Sequence, residues 1–181
     1  EGGVLSSSRT QEYTYDQSGN ATSTRVSTNG LPQITTVRTF RNNQSRWILG
    51  LLTEETTSAA GHILQKKKYD YAGNLITREC DWLNTEDRWV CHRHTYNPNG
   101  NLVKSVNSRG HATHFAYDSQ SQAHLAKTTN AKGHTTSREF SPQGKLISSK
   151  DQNGNSSFYK YDGHGRLIQE DRPGGSRIYY R

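Results

Sequence analysis

Aromatic, turn and aliphatic positions follow one another along this chain in a fixed order. An aromatic residue leads into a short polar or glycine-containing turn, and Gly-x-Leu closes it. The order occurs at Tyr69, Gly73 and Leu75, at Tyr96, Gly100 and Leu102, at Phe140, Gly144 and Leu146, and at Tyr161, Gly165 and Leu167. Another copy, at Tyr117 and Leu125, has two extra turn residues and no glycine. A degenerate first copy stands at Tyr15, Asp16 and Gly19. Sliding residues 130–150 onto 151–170 by about 21 positions lays Asn130 on Asp151, Phe140 on Tyr161 and Leu146 on Leu167, so the chain is a tandem repeat. Between the aromatic turns lies a second kind, Asn-Ser-Arg-Gly-His, Asn-Ala-Lys-Gly-His and Asp-Gln-Asn-Gly-Asn.

Each repeat therefore predicts two turns and two short strands. Asp, Asn, Gly and Pro supply the turn geometry, and Thr, Tyr, Phe, Ile and Val fill the segments between them, as strands prefer. Turns every 8 to 12 residues or so mark an all-β chain. Helical periodicity is missing; only residues 50–61 have room for a short helix, and their Thr-rich middle argues against it. The predicted architecture is a strip of antiparallel sheet built from tandem hairpins. Residues 62–181 carry the regular repeats, and residues 1–61 read as a less regular β segment.

Two hairpins allow the register to be written out. Centred on Gly163 and His164, the last one sets Tyr161 against Arg166 and Tyr159 against Ile168; a turn one residue longer would exchange the faces. In Arg-Glu-Cys-Asp-Trp-Leu-Asn-Thr-Glu-Asp-Arg-Trp-Val-Cys-His-Arg, a tip between Thr85 and Glu86 sets Trp82 against Trp89 and Cys80 against Cys91. With a loop of residues 84–87 both pairs take non-hydrogen-bonded sites, where Cα atoms approach to about 4.5 Å. Such a site accommodates a disulfide, which implies export; two reduced thiols are the plainer alternative. A metal site at Cys80, Cys91, His92 and His94 is the third. His92 points away from Cys91, however, and neither cysteine belongs to a Cys-x-x-Cys pair.

Composition changes the picture in one respect. Only 29% of the 181 residues are hydrophobic, Met is absent and the mean hydropathy is −1.01, too poor for one large core. Yet ten Tyr, four Phe and three Trp against a net charge of +7 oppose disorder. Thin sheet with one face modestly covered reconciles the two. The pI near 9.5 admits nucleic acid. Lys and Arg are dispersed, though, with Lys66, Lys67 and Lys68 the one cluster, so no specific nucleic-acid partner is expected. A solvated or lumen-facing basic surface accounts for the charge.

Catalytic and membrane signals are not found. No apolar run spans a bilayer, and the first twelve residues lack a signal-peptide layout. The chain stops about where another repeat tyrosine is due, which suggests a piece of a longer repeat protein. His62, His111, His134 and His164 each follow a glycine and recur with the turns. No Ser or Cys nucleophile stands in fixed relation to them. Asp16, Asp70, Asp118 and Asp162 start turns, where capping accounts for them. Residues 171–175, Asp-Arg-Pro-Gly-Gly, lack the Lys-Ser/Thr of a phosphate loop. Neither enzyme activity nor a cofactor is expected.

The Tyr-Asp-x-x-Gly-x-Leu unit near residues 161–167, with its copies, resembles the YD repeats of Rhs proteins. Residues 46–56, Arg-Trp-Ile-Leu-Gly-Leu-Leu-Thr-Glu-Glu-Thr, are similar to the Trp-x-x-Gly stretch found in such proteins. The resemblance covers residues 62–181 well and residues 1–61 weakly. It extends to Rhs polymorphic toxins, to the B and C subunits of insecticidal toxin complexes and, more distantly, to teneurins. It implies a strip coiled into a hollow spiral shell which, in the bacterial toxins, encloses a C-terminal toxic domain. The autoproteolytic Asp-Pro-x-Gly motif of those toxins is not matched. The resemblance thus implies a structural shell segment of a secreted or cell-surface exported protein, whose partners are the rest of the shell and the enclosed toxin domain. The alternative is a carbohydrate-binding or adhesion module, which requires an exposed row of Tyr69, Tyr96, Tyr117, Phe140 and Tyr161.

Overall fold

A computed structural model describes residues 8–181. The absent signal layout and the start of the 1–61 segment involve residues 1–7, outside the described residues. Two compact units divide between Arg93 and His94. The first holds β1 (Arg9–Tyr15), β2 (Ala21–Thr28), β3 (Ile34–Asn43), β4 (Ile48–Ala59), β5 (His62–Ala72), β6 (Leu75–Leu83) and most of β7 (Arg88–Tyr96). In the second lie β8 (Leu102–Val106), β9 (Ala112–Tyr117), β10 (Leu125–Thr129), β11 (Thr135–Phe140), β12 (Leu146–Lys150), β13 (Ser156–Tyr161), β14 (Leu167–Asp171) and β15 (Arg177–Tyr179).

Within each unit every strand pairs antiparallel with the next in sequence. Each unit is thus a meander, the topology that two-to-five-residue turns permit. Thr-rich residues 50–59 lie in β4, paired with both neighbours. The nominally less regular stretch contains β3 and β4, of 10 and 12 residues. Two one-turn 3₁₀ segments, Gln44–Arg46 and Pro173–Gly175, sit at hairpin tips.

Among the described residues no second layer covers the sheet of either unit. Among the described residues only Cys80 and Thr24 are buried. Most strand residues are half-covered by their neighbours across the sheet, the burial that a chain with 29% hydrophobic residues can support.

The two register readings fare differently. Trp82 lies opposite Trp89 and Cys80 opposite Cys91, with Leu83 against Arg88 closing a loop of residues 84–87. In the last full hairpin Tyr161 faces Leu167 and Tyr159 faces Glu170, not Arg166 and Ile168. The turn there occupies residues 162–166, and Ile168 is an extra residue in a bulge beside it. A symmetric two-residue tip allows for neither.

Candidate functional site

The candidate site is the set of hairpin turns, which alternate between the two ends of the strands within each unit, and most are made the same way. Asp162 N–H donates to Arg166 O at 2.9 Å, and Gly165 N–H donates to Asp162 O at 3.0 Å. The Asp162 carboxylate then accepts the N–H groups of His164 and Arg166, both at 2.9 Å. Gly165 takes φ +79°, a left-handed conformation costly for any residue with a Cβ. The same pair of side-chain bonds, to residues two and four ahead, recurs at Asp16, Asn97, Asn107, Asn130, Ser141 and Asp151. The two kinds of turn seen in the sequence are therefore one device. What alternates is whether an aromatic precedes it.

Asp118 heads the long version. It accepts from the N–H groups of Ser121 and His124, and Gln122, at φ 54°, stands where the glycine would be. These bonds hold the Asp118 carboxyl far below its ordinary range, with the His124 and Ser121 amides the largest causes. Asp16 is lowered by the Asn20 side chain and amide, Asp151 by the Asn155 side chain and amide, and Asp162 by the Arg166 amide and guanidinium. Carboxylates held this firmly as anionic acceptors are caps; a general acid needs the opposite shift.

In the second unit, successive turns that follow an aromatic touch. The residue that closes one turn lies over the left-handed residue of the next. A methyl group built on Gly144 would come within 2.7 Å of His124 Nε2, and one on Gly165 within 3.1 Å of Lys145 Nζ. Asn101 Nδ2 donates to Gln122 O at 2.5 Å. In the first unit Asn20 Oδ1 approaches Gly50 in the same way, at 2.8 Å from such a methyl. The closing residues also cover the repeat aromatics. His124 stacks on Phe140 with centroids 4.6 Å apart, and Lys145 Nζ stands 5.8 Å from the Tyr161 ring centre. Tyr161 Oη donates to Leu146 O at 2.9 Å, tying one hairpin to the one before it.

Leu75, Leu102, Leu125, Leu146 and Leu167 open β6, β8, β10, β12 and β14, all half-buried. Gly73, Gly100, Gly144 and Gly165 all have positive φ. Tyr96, Tyr117, Phe140 and Tyr161 end their strands. Tyr69 does not: it lies within β5 opposite Glu79, and Asp70 pairs with Arg78 at 2.6 Å instead of capping a turn. Tyr71 takes the repeat position there. Its hydroxyl donates to Leu52 O at 2.7 Å, as Tyr161 does to Leu146. The reason is a tighter loop, with Ala72 already paired to Leu75. All five tyrosine and phenylalanine positions named for the exposed row are half-buried.

The β6–β7 hairpin carries a second cluster. Cys80 and Cys91 form a disulfide with Cα atoms 4.1 Å apart. The Trp82 and Trp89 rings meet edge to face at 5.2 Å, and Lys68 Nζ lies 4.1 Å above Trp89. Lys66 pairs with Glu54 at 3.0 Å and Lys67 with Asp81 at 3.6 Å, so the one lysine cluster is engaged within the sheet. Among the described residues no group of His, Cys, Asp and Glu is arranged to hold a metal ion. Residues 171–175 lead into a turn like the others, closed by the Arg172 N–H to Ser176 O bond at 2.7 Å and lacking the side-chain cap.

Solved structures are similar in fold. The crystal structure of TcdB2-TccC3 without its hypervariable C-terminal region is similar with a TM-score of 0.50 and 13% identity, over 94% of this chain and 11% of that one. A Photorhabdus luminescens Tc holotoxin pore is similar with a TM-score of 0.41 and 13% identity, over 95% of this chain and 13% of that one. The chain thus spans a small part of the length of the structures it matches. No curated protein sequence matches it. The sequence profile named Teneurin YD-shell matches residues 33–180. With the hairpin strip, its capped turns and most of the chain matched, this protein belongs to the teneurin YD-shell family.

Proposed function

We propose that this chain is a length of shell wall, with no catalytic role, in a secreted toxin-type protein that encloses a C-terminal toxic cargo. The turn ladder carries the reading: along one edge of the second unit the turns after Tyr96, Tyr117 and Phe140 each close over the next, which joins hairpin to hairpin. Stability in such a row accumulates from neighbour contacts, which is what an extended wall needs and a compact enzyme does not. The Cys80–Cys91 disulfide supports export to an oxidising compartment. Its partners are the rest of the parent shell and the enclosed toxin domain. The glycan-binding alternative loses ground, because His124 and Lys145 occupy ring faces that a sugar would need.

Limited proteolysis of the full-length parent, read by intact mass, tests the reading. A C-terminal segment that survives protease doses destroying it when expressed alone is enclosed. Equal digestion in both contexts refutes enclosure, and glycan binding becomes the next assay.

A further inference from the structure

The stretch around Trp47 is not used by the turn ladder. The β3–β4 hairpin is longer than its neighbours. Asn42 Nδ2 donates to Ser18 Oγ at 3.1 Å, which places Asn42 level with the tip of the β1–β2 turn. On the other side Arg41 reaches Gly73 O at the tip of the β5–β6 turn, at 3.1 Å. Residues 43–49 project past both. The projection is ordered: Asn43 Oδ1 accepts from Ser45 Oγ at 2.8 Å and from Arg46 N at 3.2 Å, and Trp47 N–H donates to Gln44 O at 3.2 Å.

At its apex Trp47 is 86% exposed and Leu49 45%. Trp47 also sits in the left-handed region, with φ 53° and ψ 30°, where Gly or Asn would serve the backbone better. An indole in a strained backbone position and in open water helps neither the turn nor the sheet. Trp and Arg are among the side chains that anchor interfaces most often. Here Arg46 precedes the indole, and Asn43, Gln44 and Ser45 lead up to it. Within residues 43–49 the one charged side chain is Arg46, while Arg38, farther back in β3, is paired with Glu55. The matching surface is therefore an apolar pocket with carboxylate or carbonyl oxygens at its edge.

We propose that residues 43–49 form a docking peg that seats Trp47 in such a pocket on an adjoining row of hairpins in the parent protein's own wall. This rests on the shell-wall reading. The peg projects from a rim, and a closed wall must bring rims against other rows. The chain matches only 11% of the length of a similar shell structure, which leaves ample wall to receive it.

The test uses the full-length parent with a benzoylphenylalanine photocrosslinker in place of Trp47. The expected result is an intramolecular cross-link to a part of the parent chain outside this 181-residue segment. Cross-links confined to this 181-residue segment, cross-links to other molecules, or none at all overturn the proposal. Trypsin provides a second readout at the Arg46–Trp47 bond. Trp47→Gly, which suits the backbone better, is expected to speed cutting there at least tenfold, and Trp47→Phe to restore protection. Unchanged cutting in Trp47→Gly also overturns the peg. The C-terminal segment is followed in the same digest. If it stays protected while the peg is cut freely, the peg fails and the wall stands; if it is degraded, the wall reading fails.

Discussion

The two units solve the same problem with different means. In the second, strands are short, five or six residues for β8 to β14. Turns therefore make up much of the unit, and side-chain caps and turn-to-turn contacts hold it. In the first, β3 to β5 run for 10 to 12 residues, and the ties lie between strands. Besides the disulfide and the Trp pair, Arg38 meets Glu55 at 2.6 Å, and Thr36 and Thr57 share a hydrogen bond at 3.0 Å. When neither unit has a core, the length of the strand decides where stability is stored. Short strands gain it at the turn; long strands gain it across the sheet.

Removing the disulfide should give the largest effect and confine it to the first unit. Reduction, or Cys80→Ala with Cys91→Ala, should cost about 2–3 kcal/mol. Amide exchange should accelerate in β6 and β7 and stay unchanged in β10 to β15, since repeat stability is passed only between neighbours. Equal acceleration in both units would show that the contrast between them is false.

Next in size is the glycine beneath the ladder. Gly144→Ala must force a Cβ into the left-handed region, at about 1–2 kcal/mol, and also displace His124. Gly110→Ala meets the same backbone cost, with φ +82°, but no atom lies within 4 Å of the added methyl. Exchange around residues 118–124 should accelerate for Gly144→Ala and not for Gly110→Ala. If the two variants behave alike, the turns do not support one another. Removing a cap is milder: Asn107→Ala should cost about 1 kcal/mol and loosen only its own turn, read from the exchange of Arg109 and His111.

Much of this is legible in the sequence, for definite reasons. Turn chemistry puts Gly and an Asp or Asn at fixed offsets, so the hairpins announce themselves. The Cys80–Cys91 and Trp82–Trp89 pairs are symmetric about one point, which fixes their register without knowledge of the turn. The Tyr161 hairpin has no such marker, and its bulge at Ile168 moves the partners. Tyr69 and Tyr71 are both aromatic, and only the tight Ala72–Leu75 pairing decides between them. The ladder escapes a reading of single motifs because it joins Lys145 to Gly165 and Asn101 to Gln122, across two hairpins. The repeat period is itself the signal that finds it. Residues about one period apart stand side by side on the rim.

Acid separates the units more gently. The second unit has three carboxylate caps, Asp118, Asp151 and Asp162, and the first has one, Asp16. Each of these carboxyls titrates below its unfolded value of about 3.9. A depressed carboxyl contributes stability that is fully present above the unfolded pKa and is lost as pH falls through the folded one. The loss should therefore begin below about pH 4 and fall mainly on the second unit. Asn97, Asn107 and Asn130 already cap turns in the same geometry without titrating. Replacing Asp118, Asp151 and Asp162 with Asn should keep the turns at neutral pH and flatten the acid response of the second unit. NMR amide shifts of Ser121, Asn155 and Arg166, followed from pH 5 to pH 2, read this directly. If they move as far in the Asn variants as in the parent sequence, the carboxylate caps are not what acid releases.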